Sequence, residues 1–288
     1  MSNLIQTILQ AESQKKAVAH FNIGNLEFLT AVGSAARELN LPVIIGVSEG
    51  ERDFIGVRRA RDLVDSVKAE FDLPIFLNAD HTYSLERVKE AIDAGYDSVI
   101  YDGAKLTLEE NIAATKECVT YAKSTGKPVL IEAELGYIGT SSKLLDELPE
   151  NATVSAEQMP TPEQAIQFVT ATGVDLLAPA VGNIHGMLKN APNPKLNIEL
   201  ISKIRQAAGV PLVLHGGSGT SDEDFKAAIT AGIGAIHVST ELRLAYRTAL
   251  QKSLTDNPDE LSPYKYLAPT IDAVKQVITA RLKLFNGL

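Results

Sequence analysis

Pro211-Leu-Val-Leu214-His215-Gly-Gly-Ser-Gly219-Thr-Ser221-Asp-Glu-Asp224 holds a whole structural unit in fourteen residues. Pro211–Leu214 is a short apolar run without polar alternation, as expected of a parallel strand buried on both faces. Ser221 followed by three acids reads as a capped helix start, with side-chain oxygen and negative charge placed where a helix leaves amide N–H groups unpaired. Between strand and helix sit a histidine and three glycines. Glycine lets the backbone approach a ligand closely, and the helix N-terminus that follows favours an anion.

The unit repeats in both directions along the chain. Other apolar runs are Ala17–Phe21, Val43–Val47, Ile75–Leu77, Ser98–Tyr101, Val129–Ala133, Asp175–Pro179 and Ala235–Val238. Segments with apolar residues at helical spacing lie between them: Leu26–Glu38, Asp62–Phe71, Ser84–Ala94, Leu108–Ser124, Pro162–Thr172, Asn197–Ala208, Ser221–Ala231 and Glu241–Lys252. Eight strands alternating with eight helices predict an α/β fold of the (β/α)8 TIM-barrel type, one domain over residues 1–288. Residues before Ala17 are expected to form an extra helix plugging the barrel floor, and Thr270–Phe285 a C-terminal helix. An open doubly wound sheet would want a Gly-x-Gly-x-x-Gly after the first strand, and Asn22-Ile-Gly-Asn-Leu-Glu27 does not supply it. Gly136–Pro160 is long and polar, the pattern of a functional loop or lid.

Composition narrows the function. A net charge of −9 over 288 residues disfavours nucleic-acid or anionic-membrane partners. With no apolar run near the length of a bilayer and no secretory pattern at the N-terminus, a cytoplasmic protein is expected. The single cysteine, Cys118, rules out an intrachain disulfide or a cysteine-based zinc cluster, so a metal would rest on His, Asp and Glu.

In a barrel, chemistry sits where strands end. The polar residues found there are Asn22 and Asn25, Ser48, Asp80 and His81, Asp102, Glu132 and Glu134, Asn183 and His185, His215, then His237, Ser239 and Thr240. His81, His185 and His215 follow the third, sixth and seventh strands, and three imidazoles over one mouth suit a catalytic zinc with an open coordination position. Asp80 reads either as a general acid/base beside the metal or as a partner orienting a ligand ring. Asp102 and Glu132 are candidate ligands for a second metal position, and Glu134 a ligand or a support. The glycine cluster after His215 and the Val238-Ser-Thr240 turn fall on the last two strands, where barrels often hold phosphate.

Taken together, Asn22-x-x-Asn25-Leu-Glu, Val47-Ser-Glu-Gly50, Asn78-Ala-Asp-His81, Tyr101-Asp-Gly103 with Glu109-Glu-Asn111, Glu132-Ala-Glu-Leu-Gly136, Ala178-Pro-Ala-x-Gly-Asn-x-His-Gly186, Leu214-His-Gly-Gly-Ser-Gly219 and Val238-Ser-Thr-Glu241 resemble the class II, zinc-dependent fructose-bisphosphate and tagatose-bisphosphate aldolases, in family order over nearly the whole chain. The resemblance implies zinc on His81, His185 and His215, with Asp102 and Glu132 as an alternative position, and Asp80 as proton donor and acceptor. It implies that Gly186, Gly216, Gly217, Ser218, Val238, Ser239 and Thr240 hold dihydroxyacetone phosphate, with Asn22 and His237 as further substrate contacts and Ser48 towards the other end of the sugar. The implied reaction is reversible cleavage of a ketose bisphosphate, with fructose 1,6-bisphosphate first, yielding glyceraldehyde 3-phosphate. Tagatose 1,6-bisphosphate, a ketose monophosphate, and a non-catalytic sugar-phosphate binder stand as alternatives. The resemblance also implies a homodimer or homotetramer, a place in glycolysis, and a monovalent cation as a conceivable helper.

Three positions depart from the family pattern. His237 stands where the family has an asparagine. Ser262-Pro-Tyr264-Lys265 replaces the Asp-Pro-Arg run whose arginine takes the distal phosphate, leaving Lys265 or Arg52 as substitutes. The mobile loop reads Gly139-Thr-Ser-Ser-Lys-Leu-Leu-Asp-Glu147, leaving Asp146, Glu147 or Glu150 to supply a second acid/base.

Overall fold

The computed structural model describes residues 3–140 and 142–288; Met1, Ser2 and Ser141, the last within the long polar loop, lie outside them. Along the chain run α1 (Leu4–Ser13), β1 (Val18–Asn22), α2 (Leu26–Leu39), β2 (Val43–Val47), α3 (Glu49–Ile55), α4 (Val57–Phe71), β3 (Ile75–Thr82), α5 (Leu85–Asp93), β4 (Ser98–Tyr101), α6 (Leu108–Ser124), β5 (Leu130–Leu135), β6 (Leu144–Leu145), α7 (Pro162–Thr172), β7 (Leu176–Pro179), β8 (Met187–Leu188), α8 (Ile198–Ala208), β9 (Leu212–Leu214), α9 (Asp222–Ala231), β10 (Ile233–Val238), α10 (Thr240–Asp256) and α11 (Pro263–Asn286). Eight parallel strands close a barrel in the order β1–β10–β9–β7–β5–β4–β3–β2, the (β/α)8 arrangement. All eight apolar runs became barrel strands.

Strand parity explains both the core and the site. Side chains alternate faces along a strand. The outward set, among them Ala19, Phe21, Ile45, Val47, Leu77 and Ile236, joins the large cluster under the helices. The inward set begins apolar at the floor with Val18, Ile44, Phe76, Leu130, Leu176, Val213 and Ala235. Helix α1 closes that floor, as expected from sequence, with Leu4 and Ile8 in the same cluster. Burying Ile8 completely contributes about 1.5–3 kcal/mol. Two or four residues further up, the same inward positions turn polar: His20 and Asn22, Asn78 and Asp80, Glu132 and Glu134, His215, and His237 are all buried.

Two helical segments differ from the sequence reading. The stretch after β2 holds two helices, α3 and α4, split by Gly56 at φ 97°. Helix α11 begins at Pro263, in the first turn where a missing N–H costs nothing, and continues through Pro269 to Asn286. Pro269 marks a boundary in sequence but is absorbed in the structure. In the long loop, β6 pairs with β8, tying residues 144–145 to the segment just after His185.

Candidate active site

Asp80 and His81 share the barrel mouth because β3 bulges. Asn78 and Ala79 pair with Ser98 and Val99, but the next pairing is Thr82 with Tyr101, so β3 holds one extra residue there. His81 takes φ 41°, a left-handed conformation costing about 1–2 kcal/mol for a residue with a Cβ. Arg52, almost fully buried on α3, braces the bulge. Its guanidinium donates to the Val47 carbonyl at 2.6 Å, the Asp80 carbonyl at 3.2 Å and Thr82 Oγ1 at 2.9 Å. Arg52 is thus engaged within the wall and does not line the cavity.

The three imidazoles expected from sequence meet. Ring centroids of His81 and His185 are 4.7 Å apart, His81 and His215 5.0 Å, and His185 and His215 6.0 Å. Glu134 joins them, and one donor atom from each of the four lies within 4.8 Å of all the others. His185 Nε2, His215 Nδ1 and Glu134 Oε1 are buried without a hydrogen-bond partner. Glu134 Oε1 and His215 Nδ1 are only 2.9 Å apart and still make no hydrogen bond with each other. Buried polar atoms left unpaired cost free energy. Here these atoms converge, and a divalent cation would satisfy them together. The donor set of imidazoles and a carboxylate, with no thiolate, fits zinc.

Asp102 and Glu132 stand behind the rings. Asp102 Oδ2 is 2.9 Å from His81 Nδ1, and Glu132 Oε1 is 2.6 Å from His215 Nε2. Contacts of this kind fix the orientation of a ligating ring. Glu134, two residues along the inward face of β5, is the carboxylate grouped with all three rings; Glu132 groups instead with His215 and His237.

Charge in this metal-free pocket is distributed accordingly. Burial would lower the His215 value, but the hydrogen bond to Glu132 and the close carboxylates of Glu134 and Glu132 outweigh it and raise it to about 10. Burial opposes protonation of His81 too, yet Asp80, Glu134 and Asp102 hold it well above the ordinary histidine value. Burial and the neighbouring His81 push His185 down to about 3. Asp80 would be raised by burial, but His81, His237 and His20 hold it well below the usual carboxylate range. The mouth is a negative well that draws in cationic charge.

All five histidines of the chain gather here. His20 and His237 stack face to face, centroids 3.4 Å apart and 3° from parallel, and His237 stacks on His215 at 4.1 Å. His20 Nε2 lies 3.2 Å from Asn78 Oδ1, whose own amide donates to Ser98 Oγ. His20, Asp80 and His237 also place donor atoms within 4.8 Å. Parallel rings 3.4 Å apart cannot both aim in-plane lone pairs at one ion, so this trio is a stack and not a metal site. Sequence reading missed His20; its only signal is parity, two residues before Asn22 on one strand.

A cavity of about 200 Å³ opens above these groups, a size for a small ligand. Asn22, Ser48, Asp80, His81, His185, Gly186, Gly216, Ser218, His237, Ser239 and Thr240 line it, as expected, together with Glu49, Tyr83, Thr140, Ser142 and Arg243, which were not singled out. Gly217 lies behind this lining, its N–H on the His237 carbonyl, and the Val238 side chain belongs to the outer core. Asp80 Oδ1 is buried and unpartnered, with His237 Nδ1 at 3.5 Å and His81 Nε2 at 3.6 Å, while Oδ2 accepts from Asn22 at 2.8 Å. On the glycine-rich side, Gly216 sits at φ 60°, where a Cβ would lie 2.2 Å from the Ile184 carbonyl. Helix α10 receives no cap from Ser239, whose Oγ is buried and unpartnered, while Ser218 Oγ accepts from the Ser239 and Glu241 amides.

The residues proposed from the family departures fall elsewhere. Tyr264 is exposed, and Lys265 pairs with Glu260 at 2.9 Å away from the cavity. Asp146 pairs with Lys189, Glu147 is exposed, and Glu150 borders a separate surface hollow with Lys105 and Tyr137. Among the described residues, Thr140 and Ser142 are the loop residues that reach the mouth.

A closed β/α barrel with imidazoles, carboxylates and a glycine-rich turn at its C-terminal mouth is the architecture of a metal-dependent lyase of the aldolase class. The family model for class II fructose-bisphosphate aldolase matches residues 2–287, and the chain belongs to that family. It is 36% identical over 284 residues to a fructose-bisphosphate aldolase of Staphylococcus aureus, covering 98% of this chain and 96% of that one. A fructose-bisphosphate aldolase of Geobacillus stearothermophilus is 37% identical over 278 residues, covering 95% and 92%. Among solved structures, the YdjI aldolase of Escherichia coli K12 superposes with a TM-score of 0.79 at 32% identity, covering 99% and 96%. No helix among the described residues is long and apolar enough to cross a membrane.

Proposed function

We propose that the protein cleaves and re-forms the C3–C4 bond of a phosphorylated ketose, giving dihydroxyacetone phosphate and an aldehyde, with zinc held by His81, His185 and His215. The observation that carries this reading is Asp80 Oδ1: a buried, ionised and unpartnered carboxylate oxygen in the same cavity as the converging ring nitrogens. A protein that only bound sugar phosphate would have no use for such a base.

Zinc, when bound, draws electron density from the sugar's carbonyl and hydroxyl oxygens and offsets the negative charge left on the three-carbon half. Asp80 takes the proton from the C4 hydroxyl as the bond breaks and returns it in condensation. Asn22, donating to Asp80 Oδ2, keeps the other oxygen turned towards the cavity. Gly186, Gly216, Ser218, Ser239 and Thr240 hold the phosphate, with the orphaned Ser239 hydroxyl as a donor. Asp102 and Glu132 lock the His81 and His215 rings, and Glu134 would offer a further oxygen to the ion.

A chelator should abolish cleavage and added zinc restore it, while borohydride with substrate should leave activity intact. Trapping of substrate on a lysine, or full activity in a metal-free preparation, would overturn the metal-assisted reading.

A further inference from the structure

Two helix starts border the cavity, after the strands that flank β1 on either side, and they are built differently. At α10, on the phosphate side, Ser239 supplies no cap and its hydroxyl stays buried and unpartnered. At α3, which follows β2 on the other side of β1, the anion place is taken by the chain itself. Ser48 and Glu51 form a complete capping box: Glu51 Oε2 accepts from the Ser48 amide at 2.8 Å and from Ser48 Oγ at 2.9 Å, and Ser48 Oγ accepts from the Glu51 amide. The Ser48 hydroxyl, the group expected to meet the far end of the sugar, is thus directed at an internal carboxylate.

The cations at the cavity are similarly committed. Arg243 is the one Lys or Arg side chain lining the cavity among the described residues, and its Nη2 is bound to Glu51 Oε1 at 2.6 Å. Arg52 is buried in the wall on backbone carbonyls and Thr82. Glu49 lines the cavity as well, its carboxylate on the Tyr83 amide. On this part of the lining stand Glu49 and Arg243, the latter offset by Glu51 behind it, a sum of one negative charge. A second phosphate, carrying about −1.5 to −2 at neutral pH, would meet like charge with no free cation to receive it.

We propose that the substrate carries a single phosphate, on the three-carbon half, and that its distal end is an uncharged polyol read by Ser48, Glu49 and the Glu51–Arg243 pair. Glu51 then acts as a specificity-determining residue that excludes a terminal phosphate. The proposal rests on the aldolase reading, and its test separates the two.

The zinc-loaded enzyme is first given dihydroxyacetone phosphate alone in D2O. Exchange of its carbon-bound proton, followed by NMR, reports the three-carbon half without any distal group. The enzyme then receives dihydroxyacetone phosphate with equal amounts of glyceraldehyde and glyceraldehyde 3-phosphate. The ketose monophosphate should exceed the bisphosphate by about tenfold or more in the initial products, because like-charge contact disfavours the second phosphate. In Glu51→Gln the ratio should move about tenfold towards bisphosphate relative to wild type; Glu49→Gln gives the same test should the first variant fold poorly. Exchange with bisphosphate as the equal or larger product, or with no product from either aldehyde, overturns the single-phosphate proposal and leaves the metal-assisted reading standing. A ratio that neither variant moves removes the carboxylates as its cause. Absence of exchange removes the aldolase reading and the proposal with it.

Discussion

Gly46→Ala tests whether the histidine stack is mechanically coupled to the catalytic groups. Strand β1 lies between β2 and β10, and His20 is in register with Ile44 on one side and His237 on the other. Gly46 lies two residues beyond Ile44 on the same inward face. A Cβ there would lie 2.1 Å from His20 Cε1 and 2.3 Å from Nε2. Ordinary carbon contacts are about 3.5–4.0 Å, so the ring must move by more than ~1 Å. The stack leaves no space for that: His237 already touches the ring at a 3.4 Å centroid distance, and His215 lies beyond it at 4.1 Å. The displacement passes to His237, beside Asp80, and then to His215, on which that ring stacks. Overpacking of this kind costs about 1–3 kcal/mol, and each kcal/mol lowers Tm by about 2–4 °C in a domain of this size class. Misplacement by ~1 Å at reacting groups costs about 100-fold in kcat. Calorimetry and steady-state cleavage assays read both quantities. The double variant His20→Ala/Gly46→Ala removes the clash and should be more stable than Gly46→Ala alone. Unchanged Tm and kcat in the single variant, or a double variant no better than the single, would refute the coupling.

Asp80→Asn should retain the fold and one zinc per chain while kcat falls by about 10²–10⁴, the usual contribution of a positioned acid/base; an unaltered rate would take Asp80 out of the reaction. Because His81 is held well above its ordinary value and His215 at about 10 in the metal-free protein, zinc loading at pH 7.5 should release about two protons, measurable by titration calorimetry in buffers of different ionisation enthalpy. A count of zero would mean the rings are already neutral. The sign for stability follows from the same shifts. A histidine raised by its neighbours stabilises the metal-free fold fully below the unfolded value near 6.5, and that contribution disappears as pH climbs through about 10. The metal-free protein should therefore lose Tm between pH 7 and 10 more steeply than the zinc-loaded form, and parallel profiles would contradict this charge distribution.

Much of this was open to reading from sequence because parallel strands announce themselves locally. Runs such as Val43–Val47 and Pro211–Leu214 are apolar on both faces, and a barrel puts the residues after them at one end. That placed Asp80, His81, His185 and His215 at the mouth before any coordinates. The division of labour between Glu132 and Glu134 was not open in the same way. Both lie on the inward face of β5, and which one meets the ion depends on ångström-scale depth below the rings. His20 escaped notice because nothing in its neighbourhood differs from a buried strand; its partner Gly46 and its stack mate His237 come from strands far away in sequence.

Local pattern thus determined the class of fold, the end of the barrel that carries chemistry, and the identity of the principal polar groups, since hydrophobic periodicity and turn chemistry act over a few residues. Tertiary structure alone decided the β3 bulge that turns His81 beside Asp80, the stacking of three imidazoles, and the pairing of Arg243 with Glu51. These depend on distances between residues brought together by barrel closure, where a shift of one ångström separates a ligand from a bystander and an open anion site from one already filled.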